Sequence, residues 1–422
     1  MGHVLLVESW VGAMSTLLPR AIREAGHRFT FLTRNLHHYL RQGSGVHPLL
    51  TADNVITAET NDLDVLLPKV QRLHEVLRFD GVVTSCDYYL GTAARLAAHL
   101  GLPGARPEAV ECAYRKDLAR QRMQLAGLPG PAFAIAEDWP GAEAAARTLD
   151  FPLVIKPVDL CAGMFVRLVA DRAQLREAFD ALDGFPVNAR GQRRSPLVLL
   201  EEVLVGPEVS VETVTVDGAT TVLGVTDKSL AGEPWFVETG HMFPAALDAA
   251  TVTAAGDMAV AALAAVGFDR GVAHTELRLT AAGPRVVEIN PRPAGNQITE
   301  LVRRATGVDL PMVFTQLALG EQPDIAVADT GVRSAAISFL LPPRAGTVAG
   351  IDGSAALAAA PDVVDWAVKP AGHRTGDAVS NNNYLGHVMT VDTAGLGARA
   401  RAEELVAGLG VRYADDLAGA LA

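Results

Sequence analysis

The chain has 422 residues, 49% of them hydrophobic and 20% charged, a length for two or three domains and a composition that excludes disorder. Thirty-six basic residues against 48 acidic ones give a net charge of −12, which argues against sequence-independent nucleic-acid binding. No run of about 18 uncharged apolar residues predicts a transmembrane helix. The opening HVLLVE lacks the basic n-region of a signal peptide, and Cys86, Cys112 and Cys161 form neither a disulfide framework nor a zinc motif, so a cytoplasmic protein is expected.

The first hundred residues alternate strand-like and helix-like patterns. Strands are expected at Val4–Val7, Phe29–Leu32, Val55–Ala58 and Gly81–Thr84, with helices at Leu17–Ala25, Leu63–Leu77 and Leu90–Leu100. Such alternation predicts a parallel, Rossmann-like layer, but ESWVGAMS after the first strand is not a GxGxxG fingerprint, so dinucleotide binding is not supported. The punctuation GLPGARPE (101–108) ends this layer. Beyond it come a charged helix at Arg115–Gln124, strands at Leu153–Lys156 and Phe165–Val169, and a polar loop, FPVNARGQRRSP (185–196). Strand-like runs from LVLLEEV to residue 226 and an Ala-rich helix over 249–266 follow, then alternating strands at 272–279 and 285–290. A third, mixed α/β region begins near Val332.

Three segments carry candidate chemistry. In AHTELRL, His274, Glu276 and Arg278 share one strand face, as do Glu288 and Asn290 in VVEINPR. If the two strands pair across TAAGP, two carboxylates and an amide converge, a donor set suited to Mg²⁺; otherwise they lie on a solvated sheet face. Lys156 ends an apolar strand and enters the loop DLCAGMF, where it reaches a phosphate or snorkels to water; no GxxxxGK[ST] P-loop is present. In LVLLEEVLVGPE, a strand runs through Glu201 and Glu202 to a Gly-Pro turn and Glu208. Only five of the basic residues are Lys (Lys69, Lys116, Lys156, Lys228, Lys369), so positions that keep Lys are candidates for a compact ammonium.

The order Lys116, Lys156, EEVLVGPE, Glu276, EINPR resembles the ATP-grasp superfamily, most closely the L-amino-acid ligases and related carboxylate–amine ligases. RKDLARQRMQLAGLPGP, EINPRPAG and VETGHMFPA, which is similar to the family's loop near the acceptor site, carry the likeness over essentially the whole chain. The resemblance implies a Rossmann-like domain at 1–110, ATP-grasp lobes at 111–331 (small lobe about 125–200, adenine hinge 201–208) and a mixed α/β cap at 332–422. It also implies amide formation, with a dipeptide first among products, through an acyl phosphate with release of ADP and phosphate. Lys116 and Lys156 would contact ATP phosphates, with Lys156 counted among the catalytic groups. Glu201, Glu202 and Leu204 would form the adenine hinge, and Glu208 would hold the ribose. Glu276, Glu288 and Asn290 would bind Mg²⁺, with Mn²⁺ as a substitute, and Arg292 would stabilise the transferred phosphoryl group. His241, His274 and Arg292 are expected to meet substrate, which would be a small-molecule carboxylate and amine, with neither nucleic acid nor membrane as partner; homodimers are common in the family. The phosphate loop departs from the family in holding a single glycine, Gly163, beside Cys161, which is either a reactive thiol or a small filler. His373 and Arg374 are candidates to face the cleft, Lys228 is expected in a solvated turn, and His37 and His38 on a surface helix. An ATP-grasp ligase or carboxylase for a non-amino-acid carboxylate in purine, cofactor or specialised-metabolite synthesis, or a catalytically silent nucleotide-binding regulator, are the alternatives.

Overall fold

The computed structural model describes residues 1–10, 12–40, 46–231 and 233–415. At the N-terminus, four parallel strands lie in the order Asn54–Thr57, Arg28–Thr33, His3–Val7, Gly81–Val83. The apolar run VLLV serves both faces of this sheet. Val4 and Leu6 pack on Leu18 and Ile22 of the helix Met14–Glu24, whereas Leu5 and Val7 pack on Leu66 and Val70 of Leu63–Leu77 and on Leu96. Asp62 caps the helix Leu63–Leu77 by accepting from the N–H groups of Asp64 and Val65. The helix Pro107–Tyr114 is an element the sequence reading passes over: its proline, read as punctuation, sits at the helix start, where a missing N–H is harmless.

A second unit has an antiparallel sheet in the order Phe133–Ala136, Val198–Glu202, Leu153–Pro157, Arg167–Val169, covered by the helices Trp139–Leu149 and Arg172–Asp183. Its core, with Ile155, Leu175, Phe179 and Leu200 at the centre, draws only on its own residues.

The largest element is an antiparallel eight-stranded sheet, ordered Gly283–Asn290, Gly271–Thr280, Glu208–Val216, Ala219–Leu230, Glu238–Phe243, Ser334–Leu340, Gly386–Asp392, Val363–Val368. The helix Ala249–Ala265 packs on its first half, and Ile298–Thr306 and Leu310–Ala318 pack on its centre. One expectation changes here. VETGHMFPA is an inner strand, not a loop, because Glu238–Phe243 pairs with Ala219–Leu230 on one side and Ser334–Leu340 on the other. The mixed α/β third region adds Ser334–Leu340, Gly386–Asp392 and Val363–Val368 to this sheet and, among the described residues, builds a separate three-stranded sheet of Gly346–Asp352, Arg374–Thr375 and Gly410–Tyr413.

Candidate active site

The hairpin forms as the alternation requires. His274 pairs with Asn290 and Glu276 with Glu288, so all four side chains share one face. A bulge after Glu276 lets Leu277 face Val286 and leaves Val287 outside the pairing. The Val287 carbonyl then turns to the cleft, accepting from Arg120 Nη2 at 2.9 Å with Lys156 Nζ at 3.5 Å.

Each carboxylate on this face already has a cation. Lys116, the first residue of the helix Lys116–Leu125, places Nζ 2.9 Å from Glu288 Oε2, and Asn290 Nδ2 donates to Glu288 Oε1 at 3.0 Å. Burial works to raise the Glu288 pKa, but Lys116 and Asn290 outweigh it and hold the carboxyl well below the usual range. Lys156 Nζ lies 2.5 Å from Glu201 Oε2, and Arg120 binds the other oxygen of Glu201. Burial lowers the Lys156 pKa even with Glu201 in contact.

Lys228 corrects the expectation of a solvated turn. It sits within the strand Ala219–Leu230 with its side chain 1% exposed, 3.0 Å from Glu208, 3.0 Å from Glu238 and 2.8 Å from Glu276. A lysine this buried persists because three carboxylates surround it. Burial works to lower its pKa, but Glu238, Glu276 and Glu208 together raise it well above the ordinary value. Glu208 also meets Arg278 at 3.0 Å. Burial, reinforced by Glu276, raises the Glu208 pKa despite Lys228 and Arg278. His274 bridges Glu212 (Nδ1, 2.9 Å) and Glu276 (Nε2, 3.1 Å); burial opposes its charge, yet the two carboxylates push its pKa up to about 9.

With Lys228 and Glu212 buried beneath its wall, the other groups line a cleft of about 1010 Å³ that also takes in Trp10 and Asp87 from the N-terminal layer, Leu204 after the small-lobe strand, and Tyr384, His387 and Lys369 from the C-terminal region. The loop after Lys156 bends through left-handed conformations at Ala162, Gly163 and Phe165, so two non-glycine residues take turns a glycine-rich loop would assign to glycine. Cys161 in this loop is held as a thiol: burial first, then Asp87, pushes its pKa up, which disfavours the reactive thiolate. At Gly206 a Cβ would fall 2.1 Å from the Leu279 carbonyl oxygen, so the Gly-Pro turn before Glu208 needs glycine.

The match to domain families covers the chain in three pieces: the ATP-grasp N-terminal domain at 20–104, the ATP-grasp domain at 149–300, and the L-amino acid ligase C-terminal domain 2 at 338–414. An uncharacterized protein of Sinorhizobium fredii is 32% identical over 340 residues, covering 80% of this chain and 69% of that one. The chain belongs to the ATP-grasp superfamily. Human carnosine synthase 1 is 27% identical over 338 residues (76% of this chain, 40% of that one), and the alanine–anticapsin ligase of Bacillus subtilis 24% over 281 (62% and 58%). The chain thus spans less than two thirds of either of these two relatives. The crystal structure of an L-amino acid ligase from Bacillus licheniformis superposes with a TM-score of 0.81 over 98% of this chain and 99% of that one, at 23% identity.

In this ATP-grasp chain, Lys116, Lys156, Glu201, Leu204, Glu208, His274, Glu276, Glu288, Asn290 and Arg292 all line the one cleft. Glu202 and His241 do not. Glu202 is on the opposite face of its strand from Glu201, exposed, with Oε2 accepting from the Ala132 N–H at 3.1 Å. His241 is fully buried behind the acidic cluster, against Phe339 and 3.2 Å from Glu238, because it pairs across the sheet with Lys228. His373 and Arg374 also lie away from the cleft, in the three-stranded sheet or next to it. His37 and His38 are exposed on the short helix His37–Leu40, although His38 reaches the cleft margin. The sequence reading missed Trp10, Asp87, Glu238, Asn296 and Tyr384. Glu238 stands inside VETGHMFPA and Trp10 inside ESWVGAMS, but nothing local marks either as a cleft residue.

Proposed function

We propose that the chain joins a carboxylate to an amine at the expense of ATP, through an acyl phosphate, with amino acids on both sides and a dipeptide as first product. The observation that carries this reading is the convergence of Glu276, Glu288, Asn290, Lys116, Lys156 and Arg292 on one cleft large enough for a nucleotide and two small substrates. Relatives named as an L-amino acid ligase, carnosine synthase and alanine–anticapsin ligase favour amino-acid substrates.

The oxygen donors of Glu276, Glu288 and Asn290 fit a hard cation that takes its remaining ligands from phosphate and water. Mg²⁺, or Mn²⁺ in its place, would neutralise the β- and γ-phosphates there. The substrate carboxylate attacks the γ-phosphorus and ADP leaves; the neutral amine then attacks the acyl carbon, phosphate leaves, and the surplus proton of the amine goes to the departing phosphate. Lys116 and Lys156 exchange their glutamate partners for phosphate oxygens. Glu208 accepts from the ribose hydroxyls, beside the adenine hinge at Leu204. Arg292 offers its guanidinium to the transferring group, where preorganised charge is worth most. His274, held by Glu212, positions Glu276.

The test is phosphate release from ATP and Mg²⁺ over a grid of amino-acid pairs, with mass spectrometry of active wells. The expected product mass is the sum of two amino acids less one water. Silence over the grid with ATP still bound would overturn the amino-acid reading. In the same assay Glu288→Ala should lose at least about 100-fold in rate with its circular dichroism unchanged; wild-type turnover would remove Glu288 from the metal site.

A further inference from the structure

The polar segment 185–196 leaves the small lobe and reaches the N-terminal layer. A Val187–Arg193 bridge closes it, Asn188 and Gln192 pair through side chains at 2.8 Å, and the Asn188 side chain accepts from the Arg190 N–H at 2.9 Å. Arg190 is thereby presented at the tip of a self-bonded turn. Its residue is 6% exposed, with the guanidinium 5.4 Å from the Trp10 ring centre and 5.6 Å from that of Tyr39, and Nη2 donating to the Ser9 carbonyl.

The socket is built for a cation. Behind Tyr39 lies the buried carboxylate of Glu8, fixed by Thr33, Thr60, the Tyr39 hydroxyl and the Arg34 N–H. Two aromatic faces, a carbonyl and a fixed carboxylate suit a planar guanidinium better than an ammonium. The backbone is gripped as well: the Arg190 carbonyl accepts from Arg34 Nη2 at 2.6 Å and from Asn61 Nδ2 at 2.9 Å.

The socket connects to the reaction centre. Trp10 Nε1 donates to Asp87 Oδ2 at 2.5 Å, and Asp87 Oδ1 receives Arg292 Nε at 2.8 Å and Nη2 at 2.6 Å. The small lobe has a core of its own, so its seating depends on contacts such as these.

We propose that Arg190 latches the small lobe onto the N-terminal layer and, through Trp10 and Asp87, positions the Arg292 guanidinium, so that the phosphoryl-transfer centre is complete only when the lobe is seated. Arg190 and Asp87 are positioning residues in this scheme, and the scheme rests on the role given to Arg292 under the proposed function. Water reaches an acyl phosphate whenever the lobe is open, and the latch ties full reactivity to the closed arrangement.

Arg190→Ala and Arg190→Lys of the full chain test this in two ways. Backbone hydrogen exchange, without substrates, should speed up at least tenfold in Arg190→Ala both over 186–195 and over 84–90; wild-type exchange in both peptides overturns the latch. In steady-state kinetics both variants should lower kcat at least tenfold with the ATP KM within twofold of wild type. The pair Arg190→Ala with Asp87→Asn should be no slower than the slower single variant, whereas multiplying effects overturn the relay. Arg190→Lys keeps the charge and guards against a folding defect, and wild-type kcat and exchange in it also overturn the proposal. If the wild-type chain ligates nothing, the exchange measurement still decides the latch, so its failure and that of the ligase reading are separable.

Discussion

His274 is clamped between Glu212 and Glu276, so its charge offsets that of Glu212 and shares Glu276 with Lys228. With its pKa up from 6.5 to about 9, the folded chain holds a proton that the unfolded chain releases at lower pH. The resulting stability is fully present below about pH 6.5, declines as pH rises, and is lost above about pH 9. The full effect approaches about 3 kcal/mol. In metal-free protein the thermal midpoint should therefore fall between pH 6.5 and 9, and His274→Gln should flatten that fall. Equal slopes for both proteins would show that the imidazole is neutral and the carboxylates are stabilised otherwise. At this scale the sequence was informative wherever spacing alone decides a face: His274, Glu276, Glu288 and Asn290 could be placed together because strand periodicity is local. Lys228 could not be placed, because TDKSL reads as a solvated turn and its partners lie 20 residues upstream and 10 and 48 downstream, on three other strands.

Those strands make the sheet an electrostatic element as well as a structural one. Lys228 on Ala219–Leu230 joins Glu208, Glu238 and Glu276, each from a different strand. Lys228→Met would keep much of the volume and leave three carboxylates facing one another without their common cation. Removing one partner of a buried ion pair typically costs about 3–5 kcal/mol, so the variant should show a markedly lower thermal midpoint or fail to accumulate. A wild-type midpoint would mean that the cluster takes up protons instead. The strands and helices of the N-terminal layer were readable because apolar runs and their Gly punctuation are short-range signals. Glu238–Phe243 was not, since GHMF has a weak alternation and its strand character comes from neighbours on both sides. The segment 185–196 looked like a plain polar loop for a related reason: the aromatic socket that receives Arg190 is about 150 to 180 residues away in sequence.

The molecule's three layers meet where no local pattern announces it. The helix Leu310–Ala318 belongs by packing to the centre of the eight-stranded sheet, yet Ala318 also enters the core of the N-terminal layer beside Val4 and Leu18. At the contact, a Cβ on Gly81 would stand 2.4 Å from the Ala318 carbonyl oxygen and 2.8 Å from its carbon. Both are backbone atoms, so Gly81→Ala forces the helix and the strand Gly81–Val83 apart rather than turning a side chain. Asp87 follows that strand by four residues and supplies the carboxylate on Arg292, so a displaced strand disturbs the cleft as well as the core. Overpacking of this kind typically costs about 1–3 kcal/mol. Gly81→Ala should therefore lower the thermal midpoint and the ligation rate together. Gly130→Ala, where an added Cβ meets nothing within 4 Å, should change neither. Calorimetry and turnover on the two variants decide the matter: if Gly81→Ala behaves like Gly130→Ala, the N-terminal layer docks with slack, and the position of Asp87 is set by Trp10 and Arg292 alone.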